Sequence, residues 1–103
     1  MAFTGKEGEI VTLTDAARWT GNYRTANPGQ VKAHFFGKEM LKNIIGQTGC
    51  MGIRMYRAID DNGAQVLVLV GVDENEKDMT AGVILERAIQ CPPKCDDQSA
   101  LNI

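Results

Sequence analysis

The sequence predicts an α+β domain in which two helices pack on a small, mainly antiparallel sheet of three to four strands. Met51 to Ile59 and Val66 to Val72 are β-rich runs on either side of Asp60-Asp61-Asn62-Gly63, and Asn-Gly tolerates the positive φ angles of a tight hairpin turn. Val66-Leu67-Val68-Leu69-Val70 is apolar at every position, the pattern of a central strand covered on both faces by helices or by another subunit. Met40, Leu41, Ile44 and Ile45 repeat at helical spacing and give a stripe that can cover such a sheet.

Residues 1–11 carry Gly5 and Gly8 and few apolar positions. They read as a loose arm, or as an edge strand around Ile10-Val11. Thr12-Leu13-Thr14-Asp15 starts the first helix. Thr12 or Thr14 offers an oxygen to free backbone N–H groups, and Asp15 suits the positive helix end. Ala16, Trp19, Thr20 and Tyr23 share one side at helical spacing, while Gly21 weakens the helix by about 1 kcal/mol relative to Ala. Asn27-Pro28-Gly29 ends it. Val31 to Phe36 is short, apolar and bounded by glycines, and reads as a strand. On a strand, one of the rings of Phe35 and Phe36 faces outward and needs cover. Lys38 to Gln47 is the second helix, with Gly46 or Gly49 as its stop.

After the hairpin comes a charged loop, Asp73 to Asp78, and then Val83 to Ile89, read as a third strand with Val83, Leu85 and Ile89 on one face. Cys91-Pro92-Pro93-Lys94-Cys95 ends regular structure. Residues 96–103 form a polar tail in which Leu101 and Ile103 are able to dock. There is no internal repeat and no linker, so residues 1–103 read as one domain.

Bulk properties narrow the function classes. A chain of 103 residues buries roughly 60–70% of the surface its unfolded form exposes and can fold alone. With 44% hydrophobic and 23% charged residues the composition is that of a globular protein rather than a disordered one. A formal charge of -2 and a pI near 5.3 lack the basic footprint of a nucleic-acid binder. No apolar run approaches the roughly 20 residues that span a bilayer, and no stretch of signal-peptide length opens the chain. An odd number of cysteines fits a reducing compartment. The expectation is a cytoplasmic protein without a membrane partner.

One ligand set stands out. His34, Cys50, Cys91 and Cys95 make up a Cys3His set, enough to close one tetrahedral zinc site. Cys91 and Cys95 have the short spacing that two ligands from one turn require, and the two prolines between them stiffen that turn. Cys50 occupies the Gly49–Gly52 corner, and His34 lies in the short element upstream. Zinc is therefore the expected cofactor, held structurally and pinning the C-terminal turn to the core. The competing reading of each residue is plainer: a small buried cysteine, a hydrogen-bonded histidine. A reversible Cys91–Cys95 disulfide is a further alternative. Its spacing differs from the C-x-x-C of thioredoxin-like proteins, and Pro92-Pro93 denies it the helix N-terminus that lowers a thiol pKa.

Other candidates are weaker. Asp73-x-Asn75 with Glu76 and Asp78 departs from a calcium loop, because Lys77 and Asp78 replace the fifth oxygen and sixth glycine; a solvated acidic loop fits better. Arg54 and Arg57 lie three apart on one strand and so face opposite ways. With Lys32 and Tyr56 they offer an anion or nucleic-acid surface, against which the acidic balance weighs. Ala33-His34-Phe35-Phe36-Gly37-Lys38, Gly49-Cys50-Met51-Gly52-Ile53-Arg54, Leu67-Val68-Leu69-Val70-Gly71-Val72-Asp73 and Cys91-Pro92-Pro93-Lys94-Cys95 resemble strings in small uncharacterised bacterial proteins. The likeness runs from about Thr20 to Cys95. It implies a bacterial cytoplasmic source and carries no catalytic residue.

With few groups of catalytic type and a strand apolar on both faces, the chain reads as a non-enzymatic interaction or assembly protein, a homo-oligomer or the binder of a protein partner. A thiol- or metal-dependent enzyme or redox sensor using the same Cys and His residues is the first rival. An anion or nucleic-acid binder is the second.

Overall fold

A computed structural model describes residues 2–102. The element order is α1 (Leu13–Ala26), β1 (Ala33–Phe35), α2 (Lys38–Ile45), β2 (Cys50–Ile59), β3 (Gln65–Asp73), β4 (Ile84–Leu85) and β5 (Ile89–Cys91). These elements form two compact units. The expected single sheet carrying two helices is incorrect: there are two antiparallel sheets, one of three strands ordered β2-β3-β4 and one of two, β1-β5. α2 packs on the three-stranded sheet.

The first unit comprises Phe36–Ala88 with the N-terminal arm up to Glu7. Its framework is the β2–β3 hairpin, in register from Ile59↔Gln65 to Gly52↔Val72, with an irregularity between Cys50 and Gly52. The connection is a three-residue loop rather than the two-residue turn that Asn-Gly suggests. Asp60 Oδ1 accepts from the backbone N–H groups of Asn62 and Ala64, each at 2.9 Å, and only Gly63 takes a positive φ, +80°. A second turn repeats this design. Asp73 Oδ1 accepts from Asn75 N (2.9 Å) and Lys77 N (3.0 Å), and Glu76 takes the left-handed place at φ 66°. The acidic loop is thus closed by its own aspartate, which is turn chemistry rather than ligand geometry.

The core of this unit is Ile44, Val66, Leu69, Val70 and Val72, with Ile44 and Leu69 fully excluded from solvent. Burying each of those two side chains contributes about 1.5–3 kcal/mol. Gly71 is the contact point between helix and sheet: a Cβ there would lie 3.3 Å from Ile44 Cγ2 and 2.9 Å from Gln47 Nε2. Gln47 closes the end of α2. Its Nε2 donates to Ile44 O (3.0 Å) and its Oε1 accepts from Val83 N (2.9 Å). Residues 2–7 are not a loose arm. Phe3 N donates to Glu74 O (2.9 Å), and Glu7 accepts from Thr4 and Gly5. Ile10, by contrast, is fully exposed and belongs to no strand.

The predicted third strand, Val83 to Ile89, is two strands of different sheets. Arg87 sits in the left-handed region at φ 65°, which breaks the extended run. Upstream of it Leu85 and Ile84 pair with Leu69 and Val70; downstream Ile89 to Cys91 pairs with Phe35 to Ala33.

The second unit is Gly8–Phe35 with the segment from Ile89 onward. Thr12 caps α1, accepting from Asp15 N at 3.1 Å, and Asn27 ends it with its N–H on Tyr23 O. The helix buries none of its 14 residues. Ala16, Ala17, Thr20, Gly21 and Arg24 are partly covered, whereas Trp19 and Tyr23 stand exposed, so the aromatic flank is not the packed one. The tail is a set of turns around Asp96, Ser99 and Asn102. It is tied back by Arg24 to Leu101 O (2.5 Å) and by Lys32 Nζ to Asn102 Oδ1 (2.9 Å). It is thus the Leu101 carbonyl that docks, while its side chain stays exposed; Ile103 lies outside the described residues. No helix among the described residues is long and apolar enough to cross a membrane.

Candidate functional site

The expected metal site rests on four sulfur and imidazole groups. Cys91 and Cys95 are bonded to each other, with Cα atoms 4.9 Å apart. The turn between them is held by backbone bonds from Lys94 N to Gln90 O (3.1 Å) and from Lys32 N to Cys91 O (2.7 Å). Cys91 is buried and Cys95 half-buried. A disulfide offers no thiolate, the form in which cysteine binds zinc.

His34 does not share a face with Cys91. The β1–β5 register pairs His34 with Gln90 and Ala33 with Cys91. Successive strand residues face opposite ways, so the imidazole and the Cys91 sulfur are on opposite faces of that sheet. His34 Nδ1 is buried with no hydrogen-bond partner among the described residues. Cys50 belongs to the first unit. Its free thiol donates to Gly52 O at 3.2 Å, the behaviour of a small packed residue. Among the described residues no group of three or more His, Cys, Asp or Glu side chains is arranged to hold a metal ion.

The cationic candidates resolve differently. Arg54 Nη1 donates to Asp78 Oδ1 (2.6 Å), and the Tyr56 hydroxyl donates to Asp78 Oδ2 (2.5 Å). The pieces are brought together by β pairing: Asp78 bridges Val72, and Arg54 is opposite Val70, which puts all four on one face. The Tyr56 hydrogen bond, then the Arg54 guanidinium, holds the Asp78 carboxyl below its ordinary value. Tyr56, and then Asp78, holds Arg54 above its ordinary value, and its guanidinium also lies 5.8 Å from the Phe3 ring. Arg54 is therefore already neutralised inside the fold, which removes it from an anion surface; Arg57 remains exposed on the other face. A groove of about 470 Å³ runs beside this cluster, lined by Phe3, Glu7, Met51, Ile53, Arg54 and Met55 among others.

Apolar exposure is wider than the one outward ring that the Phe35-Phe36 pair predicts. On the first unit Met55 is 59% exposed, Ile59 74% and Ile45 58%. On the second, Phe35 and Ile89 face each other across β1–β5 and are 65% and 52% exposed. The outward ring of the Phe35-Phe36 pair was the available signal. Compared with known proteins, the chain matches no family model, no curated protein and no solved structure.

Proposed function

We propose that this chain is a small non-enzymatic assembly protein whose first partner is a second copy of itself. The supporting observation is the set of large apolar side chains left in solvent on regular elements: Met55 and Ile59 on β2, and the Phe35–Ile89 pair on β1–β5. Exposed apolar side chains that neighbour one another, as Phe35 and Ile89 do, support an interaction face rather than a solvated one. Several polar groups of catalytic type are already engaged: Asp78 by Arg54 and Tyr56, Asp60 and Asp73 by turns, Cys91 and Cys95 by each other. Light scattering at low micromolar concentration tests the reading. A mass of at least twice the 11.2 kDa chain is expected, and a chain-mass particle at every concentration would overturn it.

A second reading, a redox sensor, is favoured by the disulfide itself. Two electrons and two protons from an external dithiol convert Cys91–Cys95 into two thiols and the reductant into its own disulfide. Only in that reduced state does the turn present two candidate zinc ligands. Thiol titration and metal analysis with and without reductant test this. A zinc content that rises on reduction supports a metal-sensing turn, and none in either state removes zinc.

A further inference from the structure

We infer that the free edge of β2 is the surface through which two copies of the chain join, pairing antiparallel about Tyr56 into one continuous six-stranded sheet. This rests on the assembly reading and names its surface.

β2 is an outer strand of the order β2-β3-β4, and ladder parity shows which of its groups are unpaired. Asp60 N donates to Ala64 O (2.9 Å), so Asp60–Ala64 is a bonded pair. Bonded and non-bonded pairs alternate in an antiparallel ladder. The bonded pairs with β3 are then the even residues of β2. Ile53, Met55, Arg57 and Ile59 turn their N–H and C=O groups away from β3. The far side of β3 agrees: Gly71, opposite Ile53, gives its C=O to Met79 N (2.8 Å). Among the described residues no backbone group bonds the outer edge of β2 from Ile53 to Ile59. A long edge strand left unpaired, with no proline, is a template for a further strand.

The edge also specifies its occupant. Registers centred on Arg54 or Arg57 would set like charges opposite each other. A register centred on Met55 would run into the irregularity between Cys50 and Gly52. Centring on Tyr56 uses the regular stretch alone. Met55 then faces the Arg57 stem of the second copy, Ile59 faces Ile53, and Arg54 faces Ala58, with no like charges opposed. All odd residues share one face, so Met55 and Ile59, now 59% and 74% exposed, gain cross-strand apolar neighbours. A formal charge of -2 per chain sets up little repulsion between copies.

The test combines cross-linking with a proline at the edge. In a Cys50→Ser background, Tyr56→Cys places two thiols in a directly opposed, non-bonded pair with Cα atoms about 4.5 Å apart, within disulfide range. Arg57→Cys sets its thiols two positions out of register. Rapid reducible dimer formation by Tyr56→Cys and not by Arg57→Cys is expected. Met55→Pro removes an outward N–H and no ladder bond, so it should fold with an unchanged circular dichroism spectrum and halve the particle mass. A double-mass particle that survives Met55→Pro and leaves Tyr56→Cys uncross-linked overturns edge pairing while the assembly reading stands. A wild-type chain of single mass overturns both. If Met55→Pro fails to fold, the two cysteine variants decide.

Discussion

Gln47 joins three separate segments of the three-stranded unit. Its amide spans Ile44 O and Val83 N, and its own C=O receives Cys50 N at 3.0 Å, so the end of α2, the corner before β2 and the approach to β4 meet on one residue. Gln47→Ala leaves the part-buried Val83 N–H unsatisfied and should cost about 1–3 kcal/mol, read as a lower urea midpoint. Asp78 gives a second residue-scale expectation, with a definite sign. Its folded value lies below the ordinary 3.8 because of Tyr56 and then Arg54. A depressed carboxyl contributes stability that is fully present above the unfolded value and lost as pH falls through the folded one. Melting temperature should therefore decline below about pH 4, and Asp78→Asn should flatten that decline while lowering stability at neutral pH.

At the scale of elements, what the sequence reveals tracks how local the determining physics is. The β2–β3 hairpin, the Thr12 start of α1 and the apolar stripe of α2 are set by periodicity and capping within a dozen residues, and the chain displays them openly. The division of residues 83–91 between two sheets is not displayed. It depends on Arg87 adopting a left-handed φ of 65° with no glycine to signal it, and on β5 pairing with β1 more than fifty positions earlier. The candidate site follows the same rule. The Cys91–Cys95 partnership was visible as a spacing that left two metal ligands and a disulfide both open, and the structure has the disulfide. His34 failed as a co-ligand because strand parity, invisible without the β1–β5 register, turns it to the other face. The disulfide carries an element-scale prediction. Closing a loop this short stabilises by about 2 kcal/mol on chain-entropy reasoning. A reductant, or Cys95→Ser, should lower the melting of the β1–β5 unit by a corresponding amount, and amide exchange should report the loss at Cys91 and Lys32 before it reaches β3.

At the scale of the whole molecule, the two units each bury a modest set of side chains and leave large apolar ones in water. The first keeps its core between α2 and β3, around Ile44 and Leu69. The second relies on capped α1, a two-stranded sheet, a disulfide and a hydrogen-bonded tail, with Cys91 its one buried hydrophobic residue among those described. On the assembly reading, a second copy covers apolar surface that one copy leaves in water. That reasoning makes association part of the folded state rather than an addition to it, and it links stability to concentration by mass action. The most direct test is sedimentation velocity over a dilution series from high to low micromolar. The account predicts a species of twice the 11.2 kDa chain mass that gives way to the single chain on dilution, with the melting temperature falling alongside. A single-chain species across the whole series, melting at one temperature throughout, would contradict it.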